Sequence, residues 1–123
     1  MLSLSPGFQV FMAIEPVDLR NGFDGLSAAV ETVFDRHVLD GHLFLFLNRR
    51  RDRIKLLWWD RDGLALFYKR LERGTYEIPR HAPGQKQLRL DATQLSLLLG
   101  GIQLDSAKRR PRYTPARTAD AAG

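Results

Sequence analysis

Five cations stand within seven residues near the middle of the chain. They are Arg49, Arg50, Arg51, Arg53 and Lys55. Arginine carries a planar, multiply donating guanidinium that suits phosphate groups and base edges. A charged turn can also protect a sheet from edge-to-edge aggregation, but cations packed this densely repel one another and disfavour a purely stabilising role. The spacing therefore predicts a phosphate-contacting, DNA-binding site.

Two more basic groups follow later in the chain, and both are included in the predicted DNA site. They are Lys69, Arg70 and Arg73, and then Lys108, Arg109, Arg110 and Arg112. Residues 1–48 carry two basic and six acidic side chains, a net charge of −4, whereas residues 49–123 carry seventeen and eight, a net charge of +9. A basic half of this kind favours a polyphosphate partner, although a solvated basic surface would look the same.

Aromatic side chains lie beside these cations. Trp58 and Trp59 would point to opposite faces of a strand, so that one of them enters the core. Trp59, near Lys55 and Tyr68, then has the composition of a surface that contacts a base or a protein partner. Burial of both tryptophans is the alternative. We predict that Trp59 and Tyr68 bind a partner.

The carboxylates raise the question of a metal-dependent nuclease. They are Asp18, Asp24, Asp60, Asp62 and Glu72. Two-metal catalysis needs carboxylates that converge from separate elements, whereas most of these residues have an ordinary place in a turn or at a helix start. The three histidines lack metal-ligand spacing, and the chain has no cysteine. We therefore expect no catalytic residue, no metal site and no cofactor, with a small nuclease as a weaker alternative.

The periodicity of the first half predicts a strand, a helix and then a hairpin. Residues 8–14 begin with strand-like alternation. Apolar residues at helical spacing predict a helix from Asn21, as N-cap, to about Arg36. The run of residues 42–47 has the length of a strand buried on both faces, and residues 54–59 form a second strand. The arginines would then lie at the tip of an antiparallel hairpin.

The second half is less regular. Leu64, Phe67 and Leu71 fit a helix that Gly74 ends, although residues 64–68 also fit a third strand. Residues 76–78 form a short strand, and Asp91 caps a last helix that ends at Gly100-Gly101. The result is an α+β fold, with a small antiparallel sheet and a central hairpin covered by about three helices. Residues 1–105 form one domain, and the basic tail of residues 106–123 is expected to be disordered.

The N-terminal residues 1–7 lack the pattern of a signal peptide, and the longest apolar run is far too short to span a bilayer. We expect a cytoplasmic protein with no membrane partner.

Several segments stand in a distinctive order and spacing: Asp18–Leu26, Gly41–Phe44, Arg53–Asp60, Gly63, Phe67–Gly74, Gln94–Leu95 and Leu98–Ile102. Together they resemble the TnpB-type accessory protein of the sixty-six family of insertion sequences. The resemblance covers about residues 4–104 and departs from the family where Gly100-Gly101 replaces Glu-Gly. It implies a non-catalytic helper encoded beside a larger transposase that itself performs strand transfer. No catalytic residue is carried over.

This resemblance implies an accessory protein for DNA transposition that binds the ends of the insertion sequence, the transposase, or both. One alternative is a protein–protein adaptor of the transposase that has no DNA affinity of its own. The DNA sequence, the primary partner and the oligomeric state stay open.

Overall fold

The apolar runs of the chain form a five-stranded sheet in the computed structural model, which describes residues 6–100. The elements are β1 (Val10–Ala13), α1 (Phe23–Phe34), a short 3₁₀ helix (Val38–Asp40), β2 (Leu43–Leu47), β3 (Arg53–Asp60), β4 (Gly63–Arg70), β5 (Gln87–Leu90) and α2 (Ala92–Gly100). The strand order is β4-β3-β2-β1-β5. The expected α+β class is confirmed. The tail of residues 106–123, with the boundary at residue 105, lies outside the described residues.

The sheet is mixed, not antiparallel as expected. β1 and β2 pair in parallel, whereas the β2–β3, β3–β4 and β1–β5 pairs are antiparallel. A parallel pair needs a long crossover, and the connection through α1 supplies it. Within residues 6–100 there are two α-helices and one 3₁₀ helix instead of about three helices. None of these helices is long and apolar enough to cross a bilayer.

The segment after Gly63 fits a helix in the sequence but is a strand in the structure. Residues Gly63–Arg70 form strand β4, which pairs with β3 through eight consecutive positions. Leu64 faces the α1 side of the sheet, whereas Leu71 packs with the opposite core, so their helical spacing does not define one buried face. The two-residue turn Arg61-Asp62 joins the strands, with Arg61 at φ 58. Pairing with β4 gives hydrogen-bond partners to the N–H and C=O groups on the outer side of β3. A helix at residues 63–70 would leave those groups without partners.

Each face of the sheet has its own core. On one face α1 packs Leu26, Val30 and Phe34 against Phe44 and Phe46 of β2. The opposite core is covered by α2 and by the irregular segment of residues 76–78. All five residues of β2 are buried, which confirms the strand buried on both faces. Residues 76–78 were expected to form a strand; they take no regular secondary structure, but they bury Tyr76 and Ile78.

The helix starts differ in how they are capped. Asp91 accepts a hydrogen bond from Gln94 N and donates its own N–H to Gln94 Oε1, so that the expected cap of α2 is confirmed. The N-cap of α1 is Gly22, without a side-chain hydrogen bond, and not Asn21 as expected. The backbone carbonyl oxygen of Asn21 instead accepts a hydrogen bond from Lys55 Nζ. The start of α1 is therefore bound to the sheet by tertiary contacts.

Candidate nucleic-acid interface

The β2–β3 turn is held by hydrogen bonds from its own residues. Asn48 donates through Nδ2 to Asp52 Oδ1 at 2.6 Å, and its Oδ1 accepts the N–H of Arg53 at 3.0 Å. Arg51 takes a left-handed conformation with φ 61. These bonds use the polar residues of the turn to close it. The side chains of Arg49, Arg50 and Arg51 are left exposed at the tip, as predicted.

The chain that follows β4 runs beside this turn and brings the second cation group to it. Leu71 donates its N–H to Asp52 O at 2.7 Å, and Tyr76 donates to Arg51 O at 2.6 Å. The register also sets Arg53 opposite Arg70. The two predicted groups therefore lie at one end of the sheet, which we call the basic end. Its exposed members are Arg49, Arg50, Arg51, Arg53, Lys69, Arg70 and Arg73. Arg53 and Arg70 share the α1 face, whereas Lys69, opposite Ile54, lies on the other face.

Lys55 was predicted to contact DNA, but the structure buries it and leaves only 7% of its surface exposed. Alternation along β3 turns this side chain toward the face that α1 covers. Its Nζ donates to Asn21 O at 3.0 Å and lies 4.8 Å from the centre of the Tyr68 ring. A buried ammonium needs such partners. Lys55 therefore holds the segment before α1 against the sheet and is not part of the exposed basic end.

The two predicted partner-binding aromatics lie on the same face but do not meet. Tyr68 lies opposite Lys55 and is 50% exposed, and its hydroxyl accepts a hydrogen bond from Arg53 Nη1 at 3.3 Å. Trp59 is partly buried and lies opposite Leu64, four positions further along β3, which corresponds to about 13 Å. Tyr68 thus belongs to the basic end, whereas Trp59 lies near the far turn. Trp58 is in the core, as predicted for one of the pair.

The segment before α1 lies against the hairpin turn as well. Val17 donates its N–H to Leu47 O at 2.9 Å, and Pro16–Leu19 line an open depression of about 350 Å³ together with Asn48–Arg50. The sequence pattern predicts only a turn role for Asp18, not this position beside the arginines. The contact depends on long-range packing, and the only local hint was the resemblance of residues 18–26 to the family signature.

Asp18 and Arg20 form an exposed ion pair at this position. Arg20 Nη2 lies 2.8 Å from Asp18 Oδ2, and the backbone N–H of Arg20 donates to Asp18 Oδ1 at 3.0 Å. The side-chain hydrogen bond from Arg20, with its backbone N–H second, lowers the pKa of Asp18 from 3.8 to about 2. Asp18 therefore stays ionised and pairs with Arg20 next to the arginines of the turn.

Carboxylates offset only part of the positive charge of the basic end. Glu72 accepts hydrogen bonds from Arg70 Nε at 3.1 Å and Nη2 at 2.6 Å, and this pairing raises the pKa of Arg70. Asp52 accepts a hydrogen bond from Asn48 Nδ2. The seven exposed cations thus outnumber these two carboxylates, and the surface has the positive potential that attracts phosphate groups.

The carboxylates of the nuclease alternative are divided between the two ends of β3. Asp18 lies in the segment next to the β2–β3 turn and Asp24 follows it in the first turn of α1, whereas Asp60 ends β3 and Asp62 lies in the β3–β4 turn at the other end. Among residues 6–100 no three side chains of the metal-ligating kinds gather into one group. The arrangement does not supply the converging carboxylates of two-metal catalysis. The tail cations Lys108, Arg109, Arg110 and Arg112 lie outside the described residues.

A small α+β domain with a mixed sheet and one basic end is the class of protein that these observations define. The family described as IS66 Orf2 like protein matches residues 8–109, and the chain belongs to this family. It is thereby associated with transposition of insertion sequences as an accessory protein.

Two curated relatives come from Sinorhizobium fredii (strain NBRC 101917 / NGR234). The uncharacterized protein y4jC is 33% identical over 119 residues, which cover 97% of this chain and 100% of that protein. The uncharacterized protein y4hO is 37% identical over 102 residues, which cover 83% of this chain and 87% of that protein. No solved structure matches the chain.

Proposed function

We propose that this protein supports transposition of its insertion sequence by binding DNA through the basic end. The observation that carries the proposal is the Arg53–Arg70 register, together with the hydrogen bonds of Leu71 and Tyr76 to the turn. Cations that are distant in the sequence thereby gather at one end of the sheet. The partner we propose is duplex DNA, including the ends of the element, and the protein acts together with the transposase.

The chemistry of the surface suits the sugar-phosphate backbone. Arginine and lysine contacts to phosphate oxygens position a protein on a duplex without reading its sequence. The turn arginines are attached to a backbone that is fixed by the Asn48 and Asp52 hydrogen bonds, so that little backbone order is lost on binding. Tyr68, half exposed among these cations, adds an aromatic ring at the border of the surface.

The second candidate function is an adaptor that binds only the transposase. Tyr68 and the neighbouring cations have the aromatic and arginine composition of an interface anchor. Trp59 and Tyr68, the two predicted partner-binding aromatics, lie four positions apart along the β3–β4 pair and do not form one aromatic patch, which weakens the adaptor hypothesis. A metal-dependent nuclease has less support, because its carboxylates are divided between the two ends of the sheet.

A gel-shift titration over a range of salt concentrations tests DNA binding. We expect weak binding to both terminal-repeat and random duplexes, and a steep loss of affinity with salt. The double variant Arg49→Ala/Arg50→Ala should flatten the slope of log K against log salt by about 1.8 if each side chain contacts one phosphate, at −0.9 per contact.

The matched control is Lys86→Ala/Arg89→Ala, which removes the same charge from exposed positions in and just before β5, the opposite edge of the sheet. This control should change the slope much less. Equal slopes for the two double variants would reject the basic end as the DNA site. A wild-type protein that shifts no DNA at low salt but still binds the transposase would favour the adaptor.

A further inference from the structure

The two edges of the sheet are protected to different degrees. β5 is four residues long and exposes Arg89, whereas β4 is eight residues long and has no charged residue from Gly63 to Tyr68. β4 also lacks proline, and its register with β3 continues without a bulge. Phe67 and Tyr68 are 42% and 50% exposed, on opposite faces of this strand. Within residues 6–100 no strand covers the outer side of β4. Long apolar edge strands that lack charged residues, proline and bulges are sites where a further strand can pair.

The direction of the β4 backbone groups follows from one hydrogen bond. Leu71 N–H bonds to Asp52 O, one position beyond the Arg53–Arg70 pair. Hydrogen-bonded and non-bonded pairs alternate in an antiparallel ladder, so the odd-numbered residues of β4 bond to β3. The N–H and C=O groups of the even-numbered residues then point to the open edge. These residues are Leu64, Leu66, Tyr68 and Arg70.

The open edge is complementary to itself when two copies run antiparallel. A two-fold axis at Leu66 sets Tyr68 of one copy opposite Leu64 of the other, and sets the large Phe67 opposite the small Ala65. The same register places Arg70 of one copy opposite Asp62 of the second copy, so that a cation at the end of β4 meets the carboxylate of the Arg61-Asp62 turn. Parallel pairing would instead place like charges together, which is unfavourable.

We propose that the protein forms a symmetric dimer in which the β4 edges of two copies pair antiparallel and make one continuous ten-stranded sheet. The partner of this surface is a second copy of this chain, because charge and side-chain size both match across the two-fold axis. The proposal does not depend on DNA binding, and its test is carried out without DNA.

Sedimentation equilibrium of the full chain over a wide concentration range is the first measurement, and we expect a monomer–dimer equilibrium. Amide hydrogen exchange is the second. The amides of Leu64, Leu66 and Tyr68 should exchange more slowly as protein concentration rises. Those of Ala65 and Phe67, already bonded to β3, should change little.

The discriminating variant is Leu66→Pro, which removes an outward N–H and leaves the bonds between β4 and β3 in place. It should weaken dimerisation by roughly tenfold or more, because the symmetry removes two hydrogen bonds at once. Leu66→Val is the matched control, since it also alters the side chain but keeps the donor, and it should dimerise nearly as well as the parent. If circular dichroism shows that Leu66→Pro is unfolded, the proposal is tested with variants that exchange the charges of residues 62 and 70. Asp62→Arg alone should then weaken the dimer, and Asp62→Arg combined with Arg70→Asp should restore it.

A protein that stays monomeric at all concentrations would overturn the proposal. So would a dimer that neither Leu66→Pro nor Asp62→Arg weakens, since that dimer would use another surface. Slow exchange at Leu64, Leu66 and Tyr68 that does not vary with concentration would show that the chain covers its own edge, and would also overturn it.

Discussion

At the residue scale, Asp18 is the side chain whose ionisation the structure changes most clearly. Arg20 donates to both carboxylate oxygens of Asp18. The pKa of Asp18 is therefore about 2 in the folded protein, below its ordinary value of 3.8. A depressed pKa gives a stabilisation that is fully present above pH 3.8 and is lost as the pH falls toward about 2. The pair is exposed, so solvent screening keeps this contribution small.

Arg20→Gln should raise the pKa of Asp18 toward 3.8. The shift should be incomplete, because the backbone N–H of residue 20 still donates to Asp18 Oδ1. An NMR titration of the Asp18 side-chain carbonyl measures this directly. Arg36→Gln is the control, because Arg36 lies over the Phe11 ring and is not among the groups that lower the pKa of Asp18. If Asp18 titrates at the same pH with and without Arg20, the ion pair does not exist in solution.

At the element scale, the start of α1 depends on a glycine three positions into the helix. A Cβ at Gly25 would lie 2.8 Å from Asn21 Cβ and 2.9 Å from Asn21 Cγ. These atoms lie close to the backbone and cannot swing away as the end of a long side chain would. The Asn21 carbonyl also accepts the hydrogen bond from Lys55, so displacement of this residue would disturb the contact between the segment before α1 and the sheet.

Gly25→Ala should therefore lower the free energy of unfolding by about 1 kcal/mol, although alanine is the better helix former. In an Asn21→Gly background, where the clashing atoms are absent, the same change should raise the free energy of unfolding by roughly 0.5 kcal/mol. Urea denaturation of the four proteins gives the coupling energy as a double-mutant cycle. Identical effects of Gly25→Ala in both backgrounds would contradict the predicted clash.

At the scale of the whole molecule, the basic end is assembled from three separate parts of the chain. The β2–β3 turn supplies the first arginines, the end of β4 supplies Lys69 and Arg70, and the following loop supplies Arg73. The loop has Gly74 at φ 77, a left-handed conformation that glycine adopts without steric cost. This geometry lets the chain return beside the turn, where Tyr76 bonds to Arg51 O.

The proposed role should be visible only when the transposase of the same element is present. The replacement of Lys69, Arg70 and Arg73 by alanine should lower the frequency of transposition while circular dichroism stays unchanged. The loss of the exposed Arg70–Glu72 pair should cost under ~1 kcal/mol of stability. A mating-out assay with the transposase gene intact measures the frequency, and Lys86→Ala/Arg89→Ala again serves as the control. Equal frequencies with and without this gene would reject the accessory role.

The features that could be predicted without a structure are those encoded in short stretches of the chain. The apolar run of residues 43–47 required a strand buried on both faces, and the polar turn after it placed the arginines at a hairpin tip. Asp91 and Gln94 at capping spacing marked the start of α2. Each of these features depends on neighbours within a few residues, so local chemistry was sufficient to predict them.

How these elements pair with one another depends on long-range contacts. Leu64, Phe67 and Leu71 fit a helix locally, but the open side of β3 makes residues Gly63–Arg70 a strand. The direction of Lys55 toward Asn21 and the parallel pairing of β1 with β2 likewise depend on contacts between residues more than thirty positions apart. Strand register is set by burial and pairing across the whole sheet. For this reason the union of two distant cation groups into one basic end could not be predicted from their spacing.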